Sequence, residues 1–96
     1  VMRYNMEVSI SKYVDIAKVV GVYKNGMTDQ EAEETACDAI EKLSRLVGIP
    51  QHLTDLGITK ADIPALAEQA ITDVCTPGNP REVTKEDILA LYHQIL

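Results

Sequence analysis

The strongest constraint in this sequence lies between residues 28 and 47, where Ala32, Ala36, Ile40, Leu43 and Val47 recur at steps of three and four. That spacing places all five on one stripe of a helix with 3.6 residues per turn. Both ends of the stripe are marked. Thr28 followed three places later by Glu31 makes a capping-box pattern, and Gly48 stands where a left-handed C-terminal cap is needed. Glu31, Glu34, Asp38, Glu41, Lys42 and Arg45 fall on the opposite side, with Asp38/Lys42 and Glu41/Arg45 in the favourable i,i+4 order. An amphipathic helix with one charged, solvated face is expected here.

The same signals recur along the chain. In the final segment Thr84 is the expected N-cap and Asp87 its N3 partner, with Val83 placed to staple onto Ile88. Ile88, Leu91, Tyr92 and Ile95 form the expected buried stripe. An earlier helix is expected from about Ser11 to Val20, where Tyr13, Val14, Ala17 and Val20 align and Gly21 ends the run. The β-branched stretch Val19 to Tyr23 raises a short strand as the lesser alternative, brief and broken by glycine. A turn of helix is expected at Gln51 to Leu56, stopped by Gly57, and a further helix at Asp62 to Thr72, whose first turn tolerates Pro64 because its N–H groups lack helical partners. No repeat, low-complexity tract or linker separates these pieces. The expected fold is all-α: a compact bundle of about five helices with short loops, residues 1–96 forming a single helical domain.

Composition excludes several classes of function. With 15 acidic and 9 basic side chains the formal net charge is −6, and the basic residues are scattered, so no nucleic-acid backbone is an expected partner. Phe and Trp are absent and the aromatics are Tyr4, Tyr13, Tyr23 and Tyr92, too few to stack bases. No apolar run approaches the roughly 18 residues of a membrane span, and the N-terminus lacks signal-peptide character, so a soluble, cytoplasmic protein with no membrane partner is expected. Cys37 and Cys75 form no Cys-x-x-Cys pair, which fits reduced thiols better than a disulfide framework.

Catalytic chemistry is hard to find in the chain. His52 and His93 belong to no His-x-x-x-His or His-Glu-x-x-His pair, so no metal ligand is expected. No Gly-x-Gly-x-x-Gly or Walker loop is present to cradle a phosphate, and no Gly-x-Ser-x-Gly elbow to carry a nucleophile. The expected catalytic and cofactor-binding residues of this chain are none. The most unusual stretch is Cys75-Thr76-Pro77-Gly78-Asn79-Pro80-Arg81, where two prolines and a glycine in seven residues impose an irregular loop. One reading is a rigid corner that aims the last helix, with Asn79 bonded to nearby backbone and kept out of the helical region by Pro80. The other is a loop lining a cleft, with Cys75 as a small wall and Arg81 as an anchor for a carboxylate or a helix end.

At this loop a family resemblance becomes visible. Leu46-Val47-Gly48-Ile49-Pro50, Leu53, Gly57, Ala67, Ala70, Asp73, Asn79-Pro80-Arg81, Thr84, Asp87-Ile88 and Leu91-Tyr92 form an ordered set that resembles the C-terminal end of the iron-dependent, group III alcohol dehydrogenases. The resemblance runs from Met2-Arg3-Tyr4-Asn5 to Leu96. It implies a parent enzyme with an N-terminal dinucleotide-binding domain and an all-α C-terminal domain, the active site lying between them. Such an enzyme transfers hydride between a nicotinamide cofactor, NAD, and a small alcohol or aldehyde, with Fe²⁺ or a similar cation polarising the substrate oxygen.

The family's metal ligands are an Asp and three His residues that precede the matching segment, as does its Gly-rich cofactor loop, and no position here corresponds to them. The abrupt start at Val1-Met2-Arg3-Tyr4, without an initiator Met, agrees with a C-terminal fragment whose partner is the remainder of the parent dehydrogenase. In that setting Cys75 is the candidate substrate-pocket residue, acting by size, Asn79, Pro80 and Arg81 are the structural loop, and Cys37 affects stability alone. Apolar surface is expected to be exposed near Val1, Met2, Tyr4 and Met6 and to drive self-association. The alternative is a stand-alone acidic helical module that binds a partner protein through an Ile/Leu/Val surface.

Overall fold

The 28–47 pattern becomes α3, Asp29–Leu46, in a computed structural model that describes all 96 residues. Its N-terminus is capped by Thr28, whose Oγ1 accepts from the Glu31 N–H at 3.1 Å. The Glu31 carboxylate does not reach back, so the expected box is a one-sided cap. At the other end Gly48 has φ +81°, a conformation that a side chain would strain. Its N–H donates to the Arg45 carbonyl at 3.1 Å and the Ile49 N–H to the Ser44 carbonyl at 2.9 Å, the paired bonds of a Schellman cap. Four further α-helices, α1 (Met2–Asn5), α2 (Ile10–Val19), α4 (Ile63–Thr72) and α5 (Lys85–Gln94), complete an all-α fold without strands. The residues form two compact units, Val1–Ile49 and Pro50–Leu96.

In the first unit α2 packs on α3 through alanines. Ala17, Ala32 and Ala36 are fully buried, and side chains that small allow two helix backbones to approach closely. Tyr13 and Cys37 close the cluster, and Met2, Met6, Val14, Ile16, Val22 and Tyr23 pack around it. The Tyr13 hydroxyl donates to the Met2 carbonyl at 2.8 Å, which folds the N-terminal segment back onto the core. This corrects the expectation of an exposed N-terminal apolar patch: Met2, Tyr4 and Met6 are half-buried, and Val1 alone of the four is exposed. The strand alternative at Val19 to Tyr23 is also overturned. There α2 ends in a second Schellman cap, with the Val22 N–H donating to the Ala17 carbonyl at 2.9 Å around Gly21.

The α3 stripe is shorter than its periodicity suggests. Ala32 and Ala36 are buried and Ile40 is half-buried, but Leu43 and Val47 are 50% and 63% exposed. The ten residues of α2 span about 15 Å against about 27 Å for the 18 of α3, so α2 covers only the N-terminal half. Cys37 and Glu33, next to the stripe, are buried instead. On the opposite face all six charged residues are exposed. Glu41 pairs with Arg45 as expected, but Asp38 pairs with Arg3 rather than Lys42, because the N-terminal helix brings Arg3 over Glu34 and Asp38.

The second unit starts with a tight 3₁₀ turn, Leu53–Leu56, where a turn of helix was expected, and Gly57 follows it. A second short turn, Lys60–Asp62, leads into α4 and is fastened by the Asp62 carboxylate, which accepts from the Thr59 N–H at 2.8 Å and from its hydroxyl at 2.7 Å. Pro64 sits in the first turn of α4. Ile63 and Ala67 of α4 and Ile88 of α5 are the buried apolar residues. The Thr84/Asp87 box is complete: Thr84 Oγ1 accepts from the Asp87 N–H at 3.2 Å, and the Asp87 carboxylate accepts from the Thr84 N–H at 2.9 Å. Leu91 and Tyr92 are half-buried, but Ile95 is 45% exposed. That residue ends the helix, and its carbonyl accepts from the Leu53 N–H at 2.8 Å, so its backbone rather than its side chain closes the unit.

Candidate functional site

The stretch from Asp73 to Arg81 lies between α4 and α5 and carries a series of local hydrogen bonds. Asp73 leaves the helical region (φ −64°, ψ 134°) and turns the chain. Its Oδ1 accepts from the Cys75 N–H at 2.7 Å, and its carbonyl accepts from the Thr76 N–H at 3.1 Å. Thr76 Oγ1 donates to the Ala70 carbonyl at 2.5 Å, fastening the turn to α4. Thr76–Gly78 then forms one 3₁₀ turn, a regular piece within a loop expected to be irregular. Asn79 is extended (φ −63°, ψ 135°), as the residue before a proline must be, and its Nδ2 donates to the Arg81 carbonyl at 2.6 Å. Asn79 thus bonds nearby backbone and stays out of the helical region.

The corner presents some side chains and withdraws others. Cys75 and Pro80 are exposed, Val74 is 91% exposed, and Asn79 and Arg81 are half-buried. Beside it, Leu66, Gln69 and Ala70 of α4, Asp73 and Thr76 of the corner, and Tyr92 of α5 line an open groove of about 320 Å³. The motif that singled out this loop was its Pro and Gly content, which marks Cys75 to Arg81. Nothing in that signal reaches Gln69, Asp73 or Tyr92, whose proximity depends on how α4 and α5 pack.

The two thiols differ sharply. Cys37 is buried, with its Sγ 3.5 Å from the Met6 Sδ. Burial pushes its pKa up, against an opposing pull from the Arg3 guanidinium, and the carboxylates of Glu34, Asp38 and Glu33 push the same way as burial. It is a poor nucleophile. Cys75 lies in the open on the corner.

No three His, Cys, Asp or Glu side chains stand close enough to hold an ion, and His52 and His93 are both exposed. The residues present do not fit iron, nor do they include a phosphate-binding loop.

The model of the Fe-containing alcohol dehydrogenase family, C-terminal, matches residues 1–96. The chain belongs to this family. It is 57% identical over 93 residues to the lactaldehyde reductase of Escherichia coli (strain K12), covering 97% of this chain and 24% of that protein. It is 42% identical over 94 residues to the 1,3-propanediol dehydrogenase of Klebsiella pneumoniae, covering 98% and 24%. The crystal structure of 1,3-propanediol oxidoreductase superposes on it with a TM-score of 0.93 at 39% identity, over 99% of this chain and 25% of that one. The family resemblance read from the Leu46-to-Tyr92 motifs is thus borne out, as is the all-α fold. The chain spans about a quarter of the length of the curated relatives it matches. No helix is long and apolar enough to cross a membrane.

Proposed function

We propose that these 96 residues are the C-terminal helical domain segment of a cytoplasmic, iron-dependent, NAD-linked alcohol dehydrogenase. The enzyme transfers hydride between the nicotinamide and a small alcohol or aldehyde of the propanediol/lactaldehyde type. The observation that carries this reading is 57% identity to lactaldehyde reductase across 97% of the chain. In such an enzyme the iron and the NAD are bound by the preceding part of the protein, because this chain has neither the donors nor the loop for them.

The work left to these residues is to scaffold the helical side of the active site and to provide one wall of it. Cys75 is that wall. Its exposure on a corner locked by Asp73, Thr76 and Asn79 gives it a fixed position, and a thiol is small and apolar enough to set a size limit without taking part in bond making. The exposed Leu43, Leu46, Val47 and Ile49 at the end of α3 meet the rest of the enzyme in this reading and, in the 96-residue chain alone, drive self-association.

The test uses the gene read upstream of Val1. The longer protein, loaded with Fe²⁺, is expected to oxidise NADH in the presence of lactaldehyde and to reduce NAD with propanediol. The 96-residue chain is expected to do neither and to hold no stoichiometric ion. One tightly bound ion per short chain with turnover would overturn the reading, as would a longer protein that, loaded with iron, reduces no small aldehyde. The second outcome would favour a protein-binding helical module.

A further inference from the structure

Along the stripe of α3 the side chains stay apolar while their cover runs out. Ala32 and Ala36 are fully buried, Ile40 is half-buried, Leu43 is 50% exposed and Val47 63%. The chemistry of the stripe does not change at Leu43; what changes is that the ten-residue α2 stops. Leu46 widens the same face at 82% exposure, and the Schellman cap brings Ile49 back beside the last turn, its N–H on the Ser44 carbonyl at 2.9 Å. From Ala39 to Val47 the charge-free side takes up about a third of the helix circumference. Asp38, Glu41, Lys42 and Arg45 stand exposed on the rest.

A face of that width, about 12 Å long, matches two turns of a second helix, the kind of neighbour that α2 already is over the first half of α3. A stable contact between two copies uses roughly 20–30 residues a side, far more than Leu43, Leu46, Val47 and Ile49 supply. A charged partner does not suit the patch either, because a carboxylate or ammonium laid on it would be desolvated without a counter-charge. We propose that the C-terminal half of α3 seats an apolar helix from the part of the same polypeptide that precedes Val1, laid along Ile40, Leu43 and Val47 where α2 ends. This rests on the reading of the chain as the C-terminal segment of a longer dehydrogenase. The chain covers 24% of its lactaldehyde reductase relative, which leaves ample length for such a helix.

The test places the photo-cross-linker p-benzoylphenylalanine at Val47, and in a control at Lys42, in the full-length protein, and maps the products by mass spectrometry. Val47 is expected to join, within one chain, an apolar peptide upstream of Val1, and Lys42 to join none. A covalent dimer, a link to residues 50–96, or no product at Val47 each overturns the proposal. Should the bulky ketone block folding, Val47→Cys replaces it, and its alkylation is expected to be roughly tenfold slower than that of Lys42→Cys and unchanged on dilution. Equal rates, or protection that disappears on dilution, overturn it. Activity with lactaldehyde, measured on the unsubstituted protein, is a separate readout. An inactive protein that gives the link within one chain sinks the dehydrogenase reading and leaves the helix contact standing, and an active protein without the link does the reverse.

Discussion

Ala17, Ala32 and Ala36 are fully buried where α2 meets α3, whereas in the second unit the buried apolar residues are Ile63, Ala67 and Ile88, on α4 and α5. The first unit gains its contact by bringing backbones close, the second by filling space with branched side chains. The two should therefore fail in opposite ways. A unit built on small residues has no room for added volume, and one built around a single fully buried isoleucine has nothing to replace it.

The largest effect is expected at Ile63. Truncation to Ala removes the one large side chain that is fully buried and leaves a cavity, at a cost of about 3 kcal/mol, readable as a shifted denaturant midpoint. Ala36→Leu should follow at about 2 kcal/mol by forcing α2 and α3 apart, while the matching enlargement of the exposed Ala90 should cost almost nothing. If Ala36→Leu were tolerated and Ile63→Ala were not, the close approach of α2 and α3 would not be what holds the first unit. Thr84→Ala, which removes the capping hydroxyl of α5, should cost about 1 kcal/mol.

The smallest effects sharpen the same contrast through pH. In the first unit burial raises the pKa of both Cys37 and Tyr13, so the unfolded chain ionises them first. That stability is fully present below the ordinary thiol pKa and lost as pH rises, so melting temperature should fall above about pH 8.5, and less so in Cys37→Ser. In the second unit the Thr59 hydroxyl and N–H hold the Asp62 carboxyl below the usual carboxylate range. This contribution is present above the ordinary carboxylate pKa and lost as pH falls through the lowered value. Thr59→Ala should therefore blunt the acid sensitivity below about pH 4, slightly, because Asp62 is exposed.

Much of this was legible in residue order because helix ends are written locally. Thr28, Thr84, Gly21, Gly48 and Pro64 each satisfy or excuse backbone groups within a few positions, and all five occupy the places their chemistry predicts. What periodicity cannot state is how far a partner helix extends. Leu43 and Val47 continue the α3 stripe beyond the reach of the ten-residue α2, and Arg3 takes Asp38 from Lys42 across 35 positions of sequence. At the candidate site, Pro77, Gly78 and Pro80 announce the corner, and Asn79 behaves as a residue before proline must. Asp73 entered only as one residue of the family resemblance, and nothing in residue order foretold that its carboxylate and carbonyl would accept from the Cys75 and Thr76 N–H groups.

A division of labour between the two thiols can be read by making the same kind of change at both in the full-length protein. Substrate profile over alcohols of increasing length and melting temperature are recorded for Cys37→Leu and Cys75→Leu. Cys37 is buried against Met6, so the larger side chain should lower the melting temperature and leave the profile alone. Cys75 is exposed on its corner, so the same change should leave the melting temperature alone and shift preference toward shorter alcohols by roughly tenfold or more. A profile that moves with Cys37 and not with Cys75 would contradict the assignment.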